Sequence, residues 1–588
     1  MLKRTLLILL LSISLLFCSC GNDAAKSPEN SACAAFDELT ETIFRDIVSS
    51  NTINLHFTIA HPENYGITDR EVTLGNYGSD FFTSECKKAE DWMDALYKID
   101  YNLLSPKQQL TYDILEDALD SETAAGEYMY FFEDLSPLTG YQAQLPILMA
   151  NYTFRNKSDI ETYLLLLAEF DDFFTVIMDF QKTKSEQGYF MPDFMADDVI
   201  EQCESFTENP ENNWLVETFN SRIGEADWLT ESEKSKYCEE NLKLVTEDIT
   251  KAYGIIIDGL KSLKGTATNE AGLCYYPDGK EYYAHLVRSA TGSAKTVKEL
   301  QTLTETYIKD SLQEIYSNMI NDPGLVDSLD TFTFSCSEPS KILEHLKLNI
   351  ASDFPALPET SCEICTVHES LEDSLSPAFF IVPPIDAARD NVIYINNHYS
   401  NSNLFTTLAH EGYPGHLYQN VYAASLNLPA IRNLLSYPGY TEGWATYVEY
   451  YSYKLDNIEE NVAQTLALND SATLGLYAYL DMGIHYDGWL YEDVLEYLKV
   501  FGFTSEEIAR DIYEAILENP ANYLSYFIGY LEITELKKTA SEKLGENFDL
   551  KKFHTFLLDM GPAPYDIIAD YMEIWLAETS APTVTLTK

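Results

Sequence analysis

The chain has 588 residues, 46% of them hydrophobic and 13% aromatic, and its 94 Asp and Glu against 38 Lys and Arg give a formal charge of −56. That length supplies one large or two fused domains with a substantial core, and the apolar content excludes a disordered chain. The acidity argues against a nucleic-acid partner, since a basic patch would have to survive that background, and it repels anionic surfaces and acidic substrates.

At the N-terminus, Lys3 and Arg4 precede an apolar run from Leu6 to Phe17, then Cys18-Ser19-Cys20-Gly21. A positive start, an apolar stretch too short to span a bilayer and a small residue before a cysteine read as a bacterial lipoprotein signal over 1–19. Cys20 becomes the lipidated first residue of an extracytoplasmic protein, and 20–34 form a polar tether. The eight further cysteines are irregularly spaced, so no disulfide pairing is predicted. Cys362-x-x-Cys365 has no second such pair, and on a strand its thiols would face opposite ways; a structural role is expected.

Residues 35–330 carry a helical pattern and are expected to wall one side of a substrate cleft. Ser158-x-x-Glu161, Thr230-x-x-Glu233 and Thr296-x-x-Glu299 have the form of capping boxes. His56 and His61 lie close in sequence without a third ligand, which favours packing or surface roles. From about Ser361 to Asn397 the pattern changes to short β-branched and aromatic segments, Cys362–Val367, Ala378–Val382 and Asn391–Asn396. They predict a small antiparallel sheet whose edge strand either receives an extended peptide or only braces the core. Tyr394, in the last segment, is a candidate substrate contact.

Chemistry concentrates in Ala409-His410-Glu411-Gly412-Tyr413-Pro414-Gly415-His416-Leu417, followed by Tyr440-Thr441-Glu442-Gly443-Trp444. Two histidines and a later glutamate form the ligand set of a catalytic zinc site that leaves the fourth position to water, and Glu411 is placed to act as general base. A plain HExxH puts its histidines at i and i+4 on one helical face. Here the second is at i+6, an advance of about 600° that points it away from the first. The motif is coherent only if the helix breaks between the histidines, which Gly412, Pro414 and Gly415 permit.

The block Thr407–His416 with Glu442-Gly443-Trp444-Ala445, together with Asp481-x-Gly483-Ile484-His485, Tyr526-x-x-Gly529 and Phe553-His554, resembles the bacterial family Domain of Unknown Function 885. The resemblance runs across most of the mature chain. It implies a mainly α, zincin-like fold of the gluzincin kind, as in thimet oligopeptidase and angiotensin-converting enzyme, binding one Zn2+ per chain and acting on peptides. His410, His416 and Glu442 are then the metal ligands and Glu411 the base. Glu449, seven residues after Glu442 on the same helical face, is the alternative third ligand or a partner that orients a histidine.

Hydrolysis also requires a donor to the developing oxyanion, for which Tyr526 and His485 are candidates, with Asp481 one turn before His485 placed to set its tautomer. Arg432 could clamp a substrate carboxylate, and His554 is expected to brace structure. Residues 331–588 thus form the catalytic part, continuous with 35–330. A silent peptide-binding lipoprotein and a metal-dependent hydrolase of other amides or esters are the rival readings. No Gly-x-Ser-x-Gly elbow is present.

Overall fold

Side-chain caps and apolar periodicity account for most helix starts. The computed structural model describes residues 28–580 apart from 69–70, 368–371, 373–375, 389 and 400–402; the signal segment and Cys20 lie outside the described residues. Thr230 and Thr296 cap their helices through reciprocal bonds with Glu233 and Glu299. The helix Lys157–Ala168 opens instead on Asn156, which pairs with Asp159, so the cap lies two residues before Ser158. The first helix, Pro28–Val48, already begins within the expected tether. Among the described residues no helix is long and apolar enough to cross a membrane.

Two large cores form. One gathers Ile53 and Leu74 with residues from Leu135 to Leu260 and belongs to the N-terminal part alone. The other joins early residues such as Phe36, Phe44 and Leu115 to Ile342, Leu408, Trp444 and Phe553. Most of the first hundred or so residues therefore brace the C-terminal part directly, and residues 135–260, joined by Ile53 and Leu74, build a second body.

The sheet has the order β1-β3-β2, with β1 Ser361–Thr366, β2 Ala378–Ile381 and β3 Asp390–Ile395. β2 pairs antiparallel with β3, but β1 pairs parallel with it, so the sheet is mixed rather than antiparallel. Alternation sends Phe380, Ile393 and Ile395 into the large core, while Phe379 and Tyr394 pack on the opposite face against Ala150 and Trp214. The sheet is thus held between the two bodies of the chain.

Four helices carry the site: α1 Leu404–Glu411, α2 His416–Ser425, α3 Pro438–Ser452 and α4 Asn522–Leu544. α3 and α4 touch backbone to backbone. A Cβ on Gly443 would stand 2.4 Å from the Gly529 carbonyl carbon, and one on Gly529 would stand 2.0 Å from the Gly439 oxygen. Gly443 therefore serves the approach of α4, which brings Tyr526 alongside Glu442.

Candidate functional site

The helix breaks between the two histidines. α1 ends at Glu411 and α2 begins at His416, so each histidine stands at a helix end instead of on one continuous face. Gly415 makes the return possible, because a Cβ there would lie 1.7 Å from the His410 carbonyl oxygen. The connection is pinned by Tyr418 N–H donating to Gly412 O (3.1 Å) and by the Trp444 indole donating to Pro414 O (2.9 Å). The rings of His410 and His416 end with centroids 4.8 Å apart and nearly perpendicular.

Glu442, one turn into α3, closes the set. Its Oε2 lies 3.5 Å from His410 Nε2 and 3.3 Å from His416 Nε2. A tetrahedral ion with bonds of about 2.0–2.1 Å to nitrogen and oxygen holds its ligand atoms about 3.4 Å apart. Both carboxylate–imidazole separations match that spacing. Glu449, two turns further along α3, takes the other ring nitrogen: His410 Nδ1 donates to its Oε2 at 3.0 Å. That bond commits Nε2 to face Glu442 and gives Glu449 the orienting position.

Glu411 adds a third carboxyl to the cluster, and His410, Glu411 and His416 hold ligand atoms within 4.8 Å of one another. Its Oε2 accepts the Phe380 N–H at 2.9 Å, tying Glu411 to the edge strand β2. Burial pushes the Glu411 pKa up, offset in part by the two imidazoles. Burial also opposes charge on Glu442, yet hydrogen bonds from His410 and His416 hold it down to about 2. At His410 burial disfavours the proton, but the carboxylates of Glu442, Glu449 and Glu411 outweigh it and raise the pKa well above 6.5. A strongly negative field around two imidazoles is the environment a divalent cation requires.

The ring of Tyr526 lies beside this cluster, stacked on His410 at 6.3 Å between centroids. Burial, then the carboxylates of Glu442, Glu411 and Glu449, keep its phenol protonated as a hydrogen-bond donor. Other candidates are engaged elsewhere. Leu273 N–H donates to His485 Nδ1 (3.2 Å) and Nε2 donates to Ile516 O (3.0 Å), so neither nitrogen remains for an oxyanion. Asp481 accepts from the Tyr283 hydroxyl and the Ala521 N–H instead of from His485. Arg432 is buried and donates to Met560 O (2.7 Å) and Pro562 O (3.1 Å), which makes it a clamp on backbone rather than on substrate.

Tyr394 stacks on Phe379 on the sheet face opposite Phe380. His554 bonds Tyr447 and Asp353 O in the core, and His56 stacks on Tyr152 with ring centroids 3.6 Å apart. Among the described residues all eight cysteines, Cys362 and Cys365 included, are unpaired. Sequence reasoning missed the Phe380 N–H bond to Glu411, a backbone contact for which no residue type is a signal.

The family described as "Bacterial protein of unknown function (DUF885)" matches residues 62–572. The chain belongs to this family. Two crystal structures share the DUF885 chain's fold. One, from Colwellia psychrerythraea and designated a lipoprotein, superimposes with a TM-score of 0.80 at 19% identity, covering 94% of this chain and 100% of its own. The other, from Shewanella oneidensis and designated a lipoprotein of unknown function, gives 0.65 at 16%, covering 92% and 99%. A third, designated an oligoendopeptidase F from Bacillus anthracis, gives a TM-score of 0.28 at 12% identity, covering 87% of this chain and 98% of its own. No curated protein matches.

Proposed function

We propose that this protein is a zinc-dependent peptidase, anchored outside the cytoplasm by a lipid on Cys20. The observation that carries the reading is Glu442 Oε2 standing 3.5 Å from His410 Nε2 and 3.3 Å from His416 Nε2, separations suited to ligands of one tetrahedral ion, with the Glu411 carboxyl beside them. Zinc bound there would polarise a substrate carbonyl and acidify water. Glu411, its pKa raised by burial, takes the proton from the attacking water and returns it to the leaving amine. Tyr526 donates to the oxygen on which charge develops. An extended peptide lying along the edge strand β2 would pass the base, since Phe380 already joins the two. The signal pattern supports the anchor, as does the designation of both fold relatives as lipoproteins.

The test is metal content of the purified mature protein beside His416→Ala and Glu411→Gln, with turnover of a mixed peptide library. Wild type is expected to hold about one zinc per chain, His416→Ala to lose it, and Glu411→Gln to keep the zinc while hydrolysis falls about a hundredfold or more. Zinc without turnover in wild type would leave a peptide-binding lipoprotein, and turnover of esters alone would make it another hydrolase. No metal in any variant, even after zinc is supplied, would overturn the reading.

A further inference from the structure

A cavity of about 390 Å³ opens away from the histidine cluster, between the helices of the N-terminal body and the segment Leu517–Pro520 just before α4. Its walls are aromatic. Phe131 stacks on Tyr282 with centroids 4.4 Å apart and meets Tyr189 edge-on at 4.9 Å, and Tyr189 stacks on Tyr276 at 5.2 Å. Exposed Phe132 and Thr139 lie where it reaches solvent. Its size is that of a small-molecule pocket.

The floor is unusual in its charge. Glu133, Asp134 and Glu518 all line the cavity. Glu133 is fully matched: Lys184 Nζ donates to its Oε2 (2.8 Å) and Gln181 Nε2 to its Oε1 (2.8 Å). Lys184, wholly buried, spends its remaining reach on Phe132 O at 2.6 Å. Asp134 has no such provision. It is 2% exposed, its Oδ1 is buried with no hydrogen-bond partner, and its carboxylate otherwise meets its own backbone N–H and a 3.5 Å contact from Gln181 to Oδ2. Gln181 Oε1 is likewise buried and unmatched. What the floor lacks is donors and one positive charge. A buried carboxyl oxygen without a donor is destabilising, and a charged N–H group would relieve it.

We propose that this cavity binds an organic cation carrying N–H donors, a guanidinium or primary ammonium, held between the Tyr189, Tyr276 and Tyr282 rings and the Asp134 carboxylate. Ring faces attract a cation within about 6 Å of their centroids, a neutral apolar guest would leave Asp134 unmatched, and an anion would meet Glu133, Asp134 and Glu518. The acidity of the whole chain concentrates such cations at the opening. Burial holds the Asp134 carboxyl at a pKa of about 7 despite Lys184 and a bond from its own backbone N–H, as befits a carboxylate whose counter-charge is incomplete. His485, a cavity-lining residue with both nitrogens bound to backbone, offers only its ring. The proposal is independent of what the histidine cluster does.

The test uses the whole mature protein and two matched pairs of probes, n-butylguanidinium against n-butylurea and n-pentylammonium against n-pentanol, followed by calorimetry. At least one cation is expected to bind, its neutral counterpart at least tenfold more weakly, and Asp134→Asn to weaken the cation at least tenfold. Should Asp134→Asn fail to fold, Tyr189→Leu removes one wall and is expected to weaken the same cation several-fold. A ladder of peptides with and without arginine distinguishes a substrate side chain from a free amine as the source. Absence of cation binding, equal binding of the neutral probe, or affinity indifferent to the variants would overturn the assignment.

Discussion

At the scale of single residues, the cluster separates two glutamates that lie on one face of one helix. Glu442 meets both Nε2 atoms, and Glu449 meets only Nδ1 of His410. The division predicts different losses. Glu449→Ala removes an acceptor that fixes tautomer and ring orientation, so zinc affinity is expected to fall about 10–100-fold. Glu449→Gln keeps an acceptor oxygen and should recover most of that loss. Glu442→Ala should abolish stoichiometric binding. Competition with a chromogenic chelator measures all three. If Glu449 were itself the third ligand, its Gln variant would fare no better than its Ala variant, and Glu442→Ala would retain the ion.

At the scale of elements, the site depends on where a helix stops. A Cβ on Gly415 would meet the backbone of His410 at 1.7 Å, and backbone cannot step aside as a flexible side chain can. Gly415→Ala is therefore expected to cost on the order of 3 kcal/mol or more, and to lose zinc along with the α1–α2 return. Gly502 makes a useful contrast. It has a φ of +88° but open space around it, so Gly502→Ala should cost only about 1–2 kcal/mol through backbone strain and leave zinc content unchanged. Thermal melts and metal analysis of the two variants check both claims.

These elements also show what could be read beforehand. The break between the histidines follows from helical geometry applied to a six-residue spacing, because ligands close in sequence are constrained by local backbone. Thr230 and Thr296 were legible for the same reason, while Asn156 and Ser158 both have capping chemistry and only the backbone decides between them. His485 and Arg432 were misread because their partners are remote: Leu273 is 212 residues from His485, and Met560 is 128 from Arg432. No local pattern reports such a contact. Strand direction was hidden likewise, since alternation fixes the faces of β1 without saying which way it runs against β3.

Over the whole molecule, two populations of buried titratable groups oppose one another. His485 and His554 are pulled by burial to a pKa of about 4 and His56 to about 3, so the folded chain binds fewer protons there than the unfolded chain. Their contribution makes stability rise as pH increases from about 4 to 6.5. Asp134 and Asp481 are pushed by burial to about 7, so the folded chain binds more protons at these sites, and their contribution makes stability fall as pH rises from about 4 to 7. The slopes have opposite sign over the same range, so the two contributions partly cancel. Asp481→Asn exposes the hidden slope. Asp481 is fully buried, and a displacement of about three pKa units corresponds to about 4 kcal/mol that wild type forgoes above pH 7 and the variant does not. The amide can still accept from Tyr283 or Ala521, leaving at most an offset independent of pH. The difference in denaturation free energy between Asp481→Asn and wild type should therefore grow in the variant's favour from pH 5 to pH 8. A difference constant across that range would mean that Asp481 is already ionised at pH 5 in the folded protein.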